Sequence, residues 1–136
     1  MTWRVVCYGK ATFSCCISEA ILSVQCCAKA VLEVKCPASV KGVSLTNTKK
    51  HPAYLNDSLQ LKREHSYYTQ VQAQMAVTGL RRSYFVVFTG VSLTVELIAF
   101  DEVFWAAVEV KAERFFFSYI FPELQSSRIA KQMECV

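Results

Sequence analysis
The sequence predicts a mixed α/β domain in which helices flank a sheet. Three observations point that way: short β-branched runs up to Lys35, a helical period closing at Gly79, and two further β-rich runs leading into an aromatic helix. With 136 residues, 53% of them hydrophobic, the chain can bury one core and is too rich in apolar residues to be read as disordered.

The elements follow in order. "WRVVCYG", "ATFSCC" and "AILSVQCC" read as strands or a hairpin, and "VLEVKC" as a strand that Pro37 ends, since proline has no donor for a ladder. Residues 38–58 mix Gly, Pro, Asn, Asp and lysines without a period and form the natural loop. Leu61, His65, Tyr68, Val71 and Met75 recur at helical spacing. They predict a helix over 59–78, capped by Ser58 and closed by Gly79. "SYFVVFTG" (83–90) and "LTVELIAF" (93–100) predict an antiparallel pair around Gly90. "DEVFWAAVEVKAERFFFSYIF" opens on Asp101 as N-cap and is helical to Phe121, with Pro122 beyond. Its aromatics run nearly all round, so it is expected to lie buried over the sheet or to pair subunits in a homo-oligomer.

Fifteen Lys+Arg against eleven Asp+Glu give a net charge of +4, compatible with a polyanionic partner. No apolar run approaches the length that crosses a bilayer, and the start lacks the pattern of a secretory signal. A soluble, unsecreted protein of the nucleus or cytoplasm is expected. Its seven cysteines then read as reduced, small buried hydrophobes, and the absence of C-x-x-C spacing argues against zinc. Ser/His/Asp and Cys/His nucleophile systems have no supporting motif. His51 is expected in solvent and His65 in packing.

The chemistry concentrates in "LEVKC". Side chains alternate on a strand, so Glu33 and Lys35 share one face while Leu32 and Val34 share the other. If the apolar pair packs on the core, the acid and the amine point together into a cleft. From spacing alone, an exposed surface ion pair is the commoner arrangement. An upstream carboxylate would change that balance, because two carboxylates and a lysine suit metal-dependent phosphodiester cleavage. Glu19 is the only acid before Glu33.

"LEVKCP", "LQLKREHSYYTQVQAQMAVTG", "YFVVFT" and "ELIAFDEVFWAAVEVKAERFFFSYIFPEL", in this order, resemble the YqaJ-type viral recombinase domain. That family groups with the lambda-type phage exonucleases among the PD-(D/E)XK nucleases. The resemblance implies a restriction-endonuclease-like mixed sheet flanked by helices. It spans residues 26–124, with 1–25 a diverged strand region and 125–136 a tail. It implies a Mg²⁺- or Mn²⁺-dependent 5′→3′ exonuclease acting on double-stranded DNA ends in recombination or repair, with a single-strand annealing protein as partner. Glu33 matches the glutamate of the metal motif, Lys35 its catalytic lysine, and Gln70 the active-site glutamine on the neighbouring helix. Tyr67 and Gln74 lie one turn either side of Gln70 and reach the same cleft, whereas Gln72 faces elsewhere.

Glu19 falls where the family has its metal-binding aspartate, one methylene longer, and Ser18 where it has proline. Residues 1–18 do not resemble the family's N-terminal helices, so a truncated or diverged copy is expected. The alternative to an enzyme is an inactive, domesticated viral or transposon-derived relic that binds DNA or a protein. Lys41, Lys49, Lys50, Lys62, Arg63, Arg81 and Arg82 are the candidate phosphate contacts, set against the plain reading of a solubilising surface.

Overall fold
The computed structural model describes residues 4–7, 19–24, 27–46 and 51–126. It divides into two compact units, residues 1–101 and 102–136. The first is a mixed α/β unit built on one five-stranded sheet in the order β1-β2-β3-β4-β5. The strands are β1 (Arg4–Cys7), β2 (Glu19–Val24), β3 (Cys27–Lys35), β4 (Arg82–Phe88) and β5 (Leu93–Ala99). All neighbours pair antiparallel except β3 and β4, which run parallel. A parallel pair needs a crossover. Here it carries helix α1 (Ser66–Thr78), which packs against β3 and β4. The strand expected at "ATFSCC" lies outside the described residues.

α1 begins seven residues later than its period suggests. Asn56 Oδ1 accepts from the backbone N–H of Ser58 and of Gln60, both at 2.9 Å. Leu59 takes φ 60° and Leu61 bridges back to Leu55. This side-chain turn competes with helix and wins locally. The cap is therefore His65, whose Nδ1 accepts from the Tyr67 N–H at 3.2 Å, and not Ser58. At the other end Gly79 adopts φ 67°, and Leu80 N–H reaches back to Met75 O, as a glycine C-cap requires.

The sheet's two faces differ. Val31, Phe85, Val87 and Ile98 line the face under α1, where they meet Val71 and Met75 of the helix and Val40, Leu45, Tyr54, Leu55 and Leu61 of the crossover loop. Leu32 pairs with Tyr84 and Tyr84 with Leu97, while Val34 pairs with Val86 and Val86 with Val95. These rows form the other face, on which Leu97 and Val95 are more than half exposed.

The second unit is helical: α2 (Glu102–Phe115), a π-helical turn (Phe116–Ile120) and α3 (Phe121–Ser126). Pro122 sits inside the helical run and does not end it. The Phe121 N–H bonds back to Phe116 O, five residues away, and such a widened turn tolerates a following proline that lacks its own donor. None of the described residues of α2, the π turn or α3 is buried, because the described part of this unit is one helical run without a second layer of its own. No described helix is long and apolar enough to cross a membrane.

Candidate active site
Glu33 lies on the α1 face of the sheet with Val31 and Lys35, not on the face opposite the core. The expected arrangement, with Leu32 and Val34 packed inward and the charges in an open cleft, is thus inverted. Leu32 and Val34 are half-buried on the other face, and the crossover helix decides which face is sealed. Glu33 is 0% exposed.

A carboxylate that deep needs partners. The Lys35 ammonium lies 2.5 Å from Glu33 Oε1. Gln70 Nε2 donates to the same oxygen at 3.2 Å, and Gln70 Oε1 accepts from Lys35 Nζ at 3.3 Å. Gln74 Nε2 donates to Glu33 Oε2 at 2.8 Å. Strand and helix, some forty residues apart in sequence, are thereby joined through one carboxylate. The helix supplies both amides because residues four apart share one side of it. Gln72, on the other flank, is buried and ties α1 to the end of β5. Its Nε2 donates to Ala99 O at 3.0 Å and its Oε1 accepts from the Asp101 N–H at 2.9 Å.

Lys35 Nζ also lies 4.0 Å from the centre of the Tyr67 ring, a distance at which a cation is attracted to the ring face. Tyr67 packs edge-on against Tyr54 at 5.0 Å and against His65 at 4.8 Å. Tyr54 continues the cluster to Phe85. Burial pushes the Tyr54 phenol up to about 12, with the neighbouring Tyr67 adding to the effect. The Tyr54 hydroxyl is buried without a partner among the described residues. Sequence reasoning missed Tyr54, which sits in an aperiodic loop that carries no positional signal.

The register of β2 and β3 sets Glu19 directly opposite Glu33. Among the described residues no three His, Cys, Asp or Glu side chains group as a metal cage. Mg²⁺, however, is commonly held by one or two carboxylates with waters and substrate phosphates completing its shell. The oxygens available suit such an ion. They are the Glu33 carboxylate and Gln74 Oε1, which is buried and lacks a hydrogen-bond partner among the described residues.

The basic residues are dispersed. Lys41 and Arg82 are exposed, and so is Lys62, whose Nζ donates to Ala53 O at 2.9 Å. Arg63 pairs with Asp101, and Arg81 lies 5.0 Å over the Phe100 ring. Lys49 and Lys50 fall outside the described residues. Cys36 is disulfide-bonded, against the expectation of reduced thiols, because sequence spacing does not reveal which sulfurs a fold brings together.

The profile of the YqaJ-like viral recombinase domain matches residues 5–81. That span holds Glu19, Glu33, Lys35, Gln70 and Gln74. It starts ahead of the stretch on which the resemblance was read and ends before β4. Neither a curated protein nor a solved structure shows significant similarity to the chain.

Proposed function
The chain belongs to the YqaJ-like viral recombinase domain family, and on that premise we propose that its nuclease-like role in recombination is hydrolysis of phosphodiesters at double-stranded DNA ends. The observation that carries the reading is the convergence of Glu33, Lys35 and Gln70 from a strand and a distant helix. Glu33 and Glu19 would hold Mg²⁺ or Mn²⁺, which supplies Lewis acidity toward the phosphate.

The protein's own groups do the rest. Lys35 offsets negative charge growing on the phosphate and orients the attacking water. Gln70 fixes the lysine by accepting from Nζ, and the Tyr67 ring bounds it on another side. Of the candidate phosphate contacts, Lys41, Lys62 and Arg82 are exposed cations that would meet backbone phosphates, with an affinity that falls as salt rises.

One observation favours a second reading, a domain that binds DNA without cutting it. Both Glu33 oxygens are already engaged, and the residue has no contact with solvent. One assay separates the two. End-labelled linear duplex is incubated with Mg²⁺ and either the protein, Lys35→Ala or Glu33→Ala, each first shown to be folded by circular dichroism. Digestion by the parent and by neither variant supports the hydrolase. No digestion, with salt-sensitive binding retained, selects the binding domain. Equal digestion by all three removes the site from the chemistry.

A further inference from the structure
The two glutamines that hold Glu33 are not used alike. Gln70 employs both ends of its amide, donating to Glu33 Oε1 and accepting from the Lys35 ammonium. It links the carboxylate to a cation. Gln74 makes the equivalent donation to Glu33 Oε2 at 2.8 Å, but its Oε1 is buried and meets no donor among the described residues. Buried acceptors in native proteins are nearly always satisfied, and an orphan calls for a water or an ion. We propose that Gln74 Oε1 is an oxygen ligand for the divalent cation that Glu33 receives, an inference that rests on the cation-binding reading of Glu33.

The chemistry suits the assignment. An amide carbonyl is a hard, neutral ligand of the kind Mg²⁺ and Mn²⁺ accept beside carboxylates. It adds no further charge beside the Glu33–Lys35 pair. Rotation about the terminal torsion of Gln74 exchanges its nitrogen and oxygen. The same side chain therefore donates to Glu33 when no ion is present and can turn its oxygen to the carboxylate when one is. An amide oxygen turned toward a carboxylate is repelled by it, so Gln74 would present its oxygen to Glu33 only with a cation bound.

The test is Mn²⁺ binding to the DNA-free full chain, followed by calorimetry and by the Mn²⁺-induced shift in Tm. Mn²⁺ is chosen because thiolates hold it weakly in a chain with seven cysteines. Gln74→Met is expected to weaken binding by about tenfold or more, the scale on which site residues tune metal affinity. Gln74→Glu is expected to bind more tightly than the parent and to show the larger Mn²⁺-induced gain in Tm, since a carboxylate replaces the amide oxygen. If Gln74 serves only as a donor to Glu33, Gln74→Glu binds more weakly, and the inference is overturned. Parent-like affinity in both Gln74 variants, with binding lost in Glu33→Gln, also overturns it while leaving the cation at Glu33. Parent-like affinity in Glu33→Gln removes the cation reading itself, and the ligand role with it.

Discussion

The two faces of the sheet differ in how far they are sealed and in what they seal. The face under α1 is the better sealed, with Val31, Phe85 and Val87 at 3% exposure or less, yet it holds an ionised pair and two amides. The opposite face carries Leu32, Val34, Tyr84, Val86, Val95 and Leu97, and Val95 and Leu97 are 56% and 55% exposed. The polar cluster thus shares its sealed face with the hydrophobic core. A buried ion pair is weak evidence for stability, because apolar residues of similar volume often serve as well. Stability alone therefore does not account for its position.

That contrast can be broken most forcefully at Lys35. Lys35→Met leaves the Glu33 carboxylate sealed and without its ammonium, and is expected to lower unfolding free energy by about 3 kcal/mol or more. Glu33→Leu combined with Lys35→Met should recover most of the loss in urea titrations. A double variant as unstable as the single would mean that the pair is structural.

Tyr54 tests the same face at high pH. Its phenol is pushed up to about 12 when folded, so as pH rises the unfolded chain ionises first. The stability it contributes is complete below about pH 10 and is lost as pH climbs through about 12, an effect of about 2–3 kcal/mol. Tyr54→Phe should flatten this alkaline decline while leaving neutral stability unchanged or slightly higher, because the hydroxyl it removes has no partner among the described residues. Denaturant unfolding at pH 8 and pH 11 reads the difference. An equally steep decline in the variant would place the titrating group elsewhere.

The smallest effect is expected on the open face. Leu97→Ser should change stability by no more than about 0.5 kcal/mol, as surface substitutions do. A loss several times larger in thermal or chemical unfolding would show that this face is covered in solution.

Much of the scaffold was legible in the sequence for local reasons. Alternation and β-branching marked β3, β4 and β5, and Gly79 marked the end of α1 because only a left-handed cap closes the helix there. The i, i+4 spacing of Gln70 and Gln74 was legible too, as was the separation of Gln72 from them. What escaped was non-local. The Asn56 turn postponed the helix through side-chain hydrogen bonds that leave no period. The face on which Glu33 lies was set by the helix that crosses over it, and alternation along a strand does not say which face a helix will cover. The exposure of the aromatic run after Asp101 depends on what each unit offers to pack against, which composition does not contain.

Gln72 has a consequence for how the site can change. It anchors one flank of α1 to Ala99 and Asp101, while Gln70 and Gln74 grip Glu33 from the other flank. The helix is thus pinned like an axle held at both bearings, and rolling it to release the carboxylate would strip the anchorage on the far side. An exchange of ligands at Glu33 that keeps these anchors would proceed by torsion of individual side chains, on the timescale of rotamer changes rather than of domain rearrangement.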